Sequence, residues 1–393
     1  MVGSGFKLIK IFGISIYIDW SWFLIFLLVT WTLSTALFGP LHPDWSPLVT
    51  WGAAILASLL FFFSVLLHEL AHSLVAIARG LPVKRITLFI FGGVSNIERE
   101  PPSPATEFLV TIVGPLTSLI LGVLFLFLGG SQLNLGGITF GGTTQALSQL
   151  DLLTTLLLWL GPINIILGFF NLIPAFPLDG GRILRSIFWA ATDNLRRATR
   201  WAAAISQVIA WGLIILGITM AFGVQIPILG TGLISGLWLA FIGWFLKNAA
   251  AQSYRQVVVA DMLEGIPVSR LMYANAPTVS PNQTVSQLVY DNIMGTNEHA
   301  FPVTENNKLV GLVSLEDVRK IPRDDWDVTR VQSVMTPVND LTIVSPREDA
   351  TDAFQKLTQK DVNQMPVVQN GELVGILRRR DIMRWLQMQS DYS

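Results

Sequence analysis

Long apolar runs separated by short polar segments fill residues 1–250, and the pattern then changes to an ordinary charged, globular one over 255–393. The runs lie near 17–38, 51–78, 105–128, 152–172, 201–222 and 227–246. Each reaches the ~20 residues that a helix needs to cross a bilayer. Two shorter stretches do not fit that pattern. Phe6 to Tyr17 reads as β-like, and Ile86 to Ile97 is β-branched, aromatic, too short to span and flanked by charges. The first region is therefore expected to be a polytopic α-helical membrane unit of six spans with a short β-element.

The charged region contains an internal repeat. Phe301-Pro302-Val303 recurs as Met365-Pro366-Val367, Gly311-Leu312-Val313 as Gly375-Ile376-Leu377, and Asp317 as Asp381, at an offset of 64 residues. Val279-Ser280-Pro281 recurs as Val344-Ser345-Pro346 at an offset of 65. Each copy predicts a strand, an amphipathic helix (Val285 to Met294; Ala350 to Leu357), two short strands around a turn, and a second helix. The divisions that follow are 1–250 for the membrane unit, 251–265 for a linker, and 266–326 and 327–393 for the two copies.

Composition supports the division. Only 13% of residues are charged, about half of what a soluble chain carries, so burial in a large soluble core is a poor alternative. The absence of cysteine excludes disulfides and thiolate metal sites. The first apolar run lacks a small-residue cleavage site and reads as a retained anchor. Lys7 and Lys10 precede the first span, and Arg79, Lys84, Arg85 and Arg99 follow the second. Five arginines between Arg182 and Arg200 follow the fourth, and Lys247 and Arg255 follow the sixth. The intervening loops 39–50, 129–151 and 223–226 hold no Lys or Arg. Positive charge on one side only predicts that both termini and the charged tail face the cytoplasm.

The candidate chemistry lies in the second span. His68 and His72, two of four histidines, stand four apart with Glu69 between them in an apolar run. On a helix that spacing sets both imidazoles on one face, where they can share zinc, and leaves Glu69 beside the metal as a general base. Three ionisable groups at membrane depth need a functional reason. Zinc requires a third ligand, and with no cysteine available a carboxylate is expected. Asp179, in the helix-breaking segment Asn171-Leu172-Ile173-Pro174-Ala175-Phe176-Pro177-Leu178-Asp179-Gly180-Gly181-Arg182, is the candidate. An Asp that caps a helix from Arg182 to Ala190 is the competing reading.

Together these motifs resemble the site-2 proteases, which perform intramembrane proteolysis. His68, Glu69 and His72 match the family's His-Glu-x-x-His helix, with Ala71 where Gly is common. Asn171, Pro174, Pro177, Leu178, Asp179 and Gly180 match its Asn-Pro-Leu-Asp-Gly-type motif. The resemblance, over roughly 1–250, implies one zinc per chain on His68, His72 and Asp179, with Glu69 catalytic. It implies that Asn171 hydrogen-bonds substrate or the developing oxyanion. It also implies that Ile86 to Ile97 is a membrane-embedded β-element, with Phe91, Gly92, Gly93 and Val94 pairing an unwound substrate by strand addition.

The repeat, over about 266–390, resembles a tandem CBS pair, a type that binds adenine nucleotides in many proteins. Gly311-Leu312-Val313-Ser314-Leu315-Glu316-Asp317 fits the ribose- and phosphate-binding element, whereas the second copy has Arg378 in place of the hydroxyl and retains Asp381. Ser314, Asp317 and Asp381 are the candidate contacts for ATP, ADP or AMP. The other reading is an unliganded dimerisation scaffold with Asp317 and Asp381 as helix N-caps. Expected partners are a transmembrane protein substrate, the lipid bilayer of a prokaryotic or organellar inner membrane, and a second copy through the CBS pair, with no nucleic acid. A CBS-gated channel or transporter would explain six spans equally well, but not ligands at zinc spacing in two separate segments.

Overall fold

The computed structural model describes residues 5–97, 100–131, 150–226, 230–296 and 298–390, and forms two compact units, Met1–Arg255 and Gln256–Ser393. Most of the Lys- and Arg-free loop 129–151, and Arg99, lie outside the described residues.

In the first unit, β1 (Phe6–Ile11) and β2 (Ile14–Ile18) form a hairpin. The two β-like stretches of sequence each fold as a hairpin and join into one four-stranded sheet. β2 runs parallel to β3 (Val83–Phe89), which pairs antiparallel with β4 (Gly92–Ile97), giving the order β1-β2-β3-β4. Parallel neighbours need a long crossover. Here it is made by α1 (Trp20–Thr32), extended by a π segment and a last turn to Leu41, and by α2 (Pro47–Ala78). Ile14, Ile16 and Ile86 pack against Leu66 and Leu70 of α2. Ile18 and Leu88 pack against Trp22, Phe62 and Val65. The sheet is thus seated on the turns of α2 that carry His68, Glu69 and His72.

The remaining helices of this unit are α3 (Pro104–Gly130), α4 (Leu152–Asn171), α5 (Asp179–Thr192), α6 (Leu195–Ala221) and the part up to Arg255 of α7 (Leu233–Leu263). Among the described residues six helices are long and apolar enough to cross a membrane; the amphipathic α5 is not one of them. Starts are well specified. Ser46 and Ser103 cap α2 and α3 with side-chain acceptors, followed by Pro47 and Pro104 at the first helical position. α7 continues to Leu263, so most of the segment 251–265 is helical.

In the second unit, β5 (Ala300–Glu305) and β6 (Lys308–Ser314) lead into α8 (Leu315–Arg319). The short β7 (Thr336–Pro337) pairs with β6. The second copy comprises α9 (Ala350–Gln359), β8 (Gln364–Gln369), β9 (Glu372–Arg378) and α10 (Arg379–Ser390). Both hairpins turn on left-handed residues, Asn306-Asn307 and Asn370-Gly371, as two-residue loops between twisted strands require. The hairpins meet at Lys308 and Glu372, giving the order β5-β6-β9-β8.

Two expectations change here. The helix expected from Val285 to Met294 is one turn, Val285–Gln287, followed by a π segment, Leu288–Ile293. In addition, Val268 and Leu271, at the start of the segment 266–326 assigned to the first copy, are buried in the core of the second with Val344, Val367 and Leu377.

Candidate metal centre

Two elements meet at the site. His68 and His72 lie one turn apart on α2, about 15 and 9 Å of helix from its end at Ala78 at the usual rise per residue. Their Nε2 atoms are 3.2 Å apart. Asp179 Oδ2 lies 3.1 Å from His68 Nε2 and 3.2 Å from His72 Nε2. The donors therefore form a nearly equilateral triangle. Zinc bonds of 2.0–2.1 Å in tetrahedral geometry require donors about 3.3 Å apart, so the three side chains fit a zinc ion. Both imidazoles are buried, with His68 4% and His72 7% exposed.

The opposite ring nitrogens fix the tautomers. His72 Nδ1 lies 2.6 Å from the Val110 carbonyl, which can only accept, so Nδ1 carries the proton and Nε2 keeps its lone pair. His68 Nδ1 lies 2.9 Å from Ser118 Oγ, able to accept in the same way. Between these contacts, Gly114 passes against both imidazoles, and any Cβ there would collide with the Nε2 atoms.

Asp179 reaches the histidines because the segment before it is irregular. α4 ends at Asn171, Ala175 and Phe176 are buried, and the Phe176 amide donates to Ser206 Oγ. α5 then begins at Asp179 itself, with Leu178 as its cap residue, not at Arg182. Its carboxylate contacts the imidazoles, not a helix terminus, which removes the capping alternative. The side-chain amide of Asn171 donates to the Leu167 carbonyl within its own helix.

Glu69 faces β4. Ser95 Oγ donates to Glu69 Oε2 at 2.9 Å, and Gly93 passes so close that a Cβ would displace the glutamate side chain. Phe91, at the tip of the β3–β4 turn, stacks on Phe245 of α7 at 4.7 Å, and Gly92 adopts φ 124° beside it. Val94 is exposed. The sheet order leaves β4 with one side unpaired among the described strands.

Ser95, Ser118, Val110 and Gly114 are functional neighbours that pattern alone does not reveal, because each matters only through a partner distant in sequence. Glu107 had a visible signal: it is the sole ionisable residue in the third apolar run.

In the second unit a cavity of about 960 Å³ is lined by residues of both copies, including Glu298, Ser314, Arg319, Arg378, Arg380 and Arg384. Ser314, not Asp317, is the cap residue of α8, and Asp317 completes a reciprocal capping box with it. Burial alone would raise the Asp317 carboxyl, but hydrogen bonds from Ser314 and Lys320 hold it below the usual carboxylate range. Asp381 is in the first turn of α10, not at its cap, and accepts from Arg378 Nε at 2.5 Å. Arg378 Nη1 and Arg380 Nη2 both reach Glu298 Oε1, at 2.6 and 2.5 Å. Arg378 and Arg380 thus already hold a carboxylate of the chain.

The profile of Peptidase family M50 matches residues 56–216, and that of the CBS domain matches 268–324 and 331–388. The protein sll0528 of Synechocystis sp., provisionally named a zinc metalloprotease, is 34% identical over 381 residues, 96% of this chain and 94% of that protein. The chain belongs to the M50 peptidases. Zinc metalloprotease MJ0392 of Methanocaldococcus jannaschii is 30% identical over 327 residues, 83% of each chain. The solved Site-2 Protease from Methanocaldococcus jannaschii is 31% identical, covering 64% of this chain and 95% of that one, with a TM-score of 0.40. This M50 peptidase is therefore a zinc metalloprotease of the site-2 protease family joined to two CBS domains, and the channel reading is not favoured.

Proposed function

We propose that this M50 peptidase cleaves transmembrane segments of other membrane proteins, and that its CBS pair regulates cleavage by binding adenine nucleotides on the cytoplasmic side. One observation carries the proteolytic part: three donors 3.1–3.2 Å apart, on two buried histidines and a half-buried aspartate, with a glutamate one residue from the first and a half-free strand beside it.

His68, His72 and Asp179 would hold zinc, which when bound polarises the scissile carbonyl and acidifies water. Glu69 takes the proton from that water and delivers it to the leaving amine. Ser95 keeps the Glu69 carboxylate turned toward β4. A helix in lipid hides its backbone, so the substrate must unwind, and Phe91 to Val94 offer a strand edge for it to join. Asn171 would stabilise the oxyanion after releasing the Leu167 carbonyl. The loop charges favour a cytoplasmic orientation for both termini, which puts the centre near the cytoplasmic leaflet of an inner membrane. The working division remains 1–250 for the protease, 251–265 for the connection, and 266–326 and 327–393 for the CBS copies, with the CBS pair also a dimerisation surface.

The test is Glu69→Gln in the full chain, co-expressed with a membrane substrate. Cleavage should disappear while zinc stays bound. Cutting at the wild-type rate would disprove the mechanism.

A further inference from the structure

α3 touches the centre at successive turns of one face. Glu107, Val110, Gly114 and Ser118 are all buried and follow helical spacing. Val110 and Ser118 hold the outer nitrogens of His72 and His68, and Gly114 lies against both rings. The third candidate ligand comes from a different element. α5 starts at Asp179, and its preceding segment is irregular rather than helical, so the ligand's position depends on how α5 itself is held.

α3 grips α5 through a charged pair. Arg185 Nε donates to Glu107 Oε1 at 2.7 Å, and its Nη2 also contacts that oxygen. Nη2 further reaches Glu100 Oε2 at 3.1 Å, and Arg182 Nε lies 3.7 Å from Glu107 Oε1. Glu107 is 0% and Arg185 5% exposed. Burial alone would lower the Arg185 pKa, yet the two glutamates hold it above its ordinary value.

Desolvating such a pair is costly, and well-packed apolar residues of similar volume are often as stable or more so. What the pair adds is direction. Nε and Nη2 converge on Glu107 Oε1, whose companion Oε2 has no hydrogen-bond partner among the described residues, and Nη2 also holds Glu100, so the planar guanidinium restrains both the rotation and the axial position of its helix. Arg185 lies six residues, about 9 Å of helix, from Asp179. A small rotation or slide of α5 would therefore carry the Asp179 carboxylate off the imidazoles. We propose that Glu107 and Arg185 are positioning residues that align α5 on α3, so that all three ligands of the centre are registered by one helix. This rests on the reading of His68, His72 and Asp179 as zinc ligands.

The test uses the purified full-length protein and two variants, Arg185→Lys and the double variant Glu107→Leu with Arg185→Leu. Zinc content, affinity against a competing chelator, the absorption spectrum of the cobalt-substituted form and Tm are measured, with His68→Ala as control. Both variants should bind metal about 10-fold more weakly, the change expected if misalignment of α5 costs the third ligand about 1.4 kcal/mol. Both should show an altered cobalt spectrum, and the double variant should keep its Tm. Arg185→Lys retains the charge without the fork, so it decides the matter even if the double variant does not fold. Wild-type affinity and spectrum in Arg185→Lys would overturn the positioning role. A wild-type protein that binds no more zinc than His68→Ala would instead overturn the ligand reading.

Discussion

His68, Glu69 and His72 illustrate what a sequence can reveal at the scale of single residues. Their meaning depends on a four-residue spacing within one helix, and α2 realises it with the Nε2 atoms 3.2 Å apart. Asp179 required more, because its partners are more than a hundred residues away and its local pattern also suited a helix cap. Ser95 and Ser118 gave no signal, since a serine in an apolar run has many bland explanations. Their contacts now separate their roles. Ser95→Ala leaves the outer nitrogens of both histidines untouched but frees the Glu69 carboxylate from its donor. Losing a hydrogen bond to a charged group costs about 1.5–3 kcal/mol. Turnover in Ser95→Ala should therefore fall about 10- to 100-fold, with zinc content unchanged. Parallel loss of zinc and turnover would show that Ser95 supports the metal instead.

Among the elements, the six apolar helices were legible because membrane length and hydropathy are local properties, and each matched a described helix. The sheet was legible only as fragments. Nothing in Phe6 to Tyr17 announces a parallel neighbour some 70 residues away, yet the Ser15–Arg85 register joins β2 to β3. The CBS hairpins were readable from their turns, whereas the π segment at Leu288–Ile293 was not, since its amphipathic spacing imitates an α-helix. The cavity between the copies carries its own prediction. Glu298 occupies two guanidinium groups that an anionic ligand would need, so a phosphate must displace it. Glu298→Gln keeps the size of the side chain and removes its charge. ATP or AMP should then stabilise the variant against heating at lower concentration than wild type, as mass action requires. An unchanged or weaker response would show that nucleotide phosphates do not use these arginines.

For the whole molecule, composition marked a membrane unit and a charged tail, and the structure contains two compact units, Met1–Arg255 and Gln256–Ser393. What composition could not show is that α3 serves as the common support of the centre, because that role is spread over contacts to α2 and α5. The proposed protease centre depends on His68, His72 and Asp179 acting together across two separate segments of chain. Elemental analysis of the purified full-length protein, beside its Asp179→Ala variant after chelator washing, tests this most directly. Wild type should retain about one zinc per chain and cut its membrane substrate, whereas Asp179→Ala should lose both tightly held metal and cleavage. An Asp179→Ala protein that keeps its zinc and cuts at the wild-type rate would contradict the account.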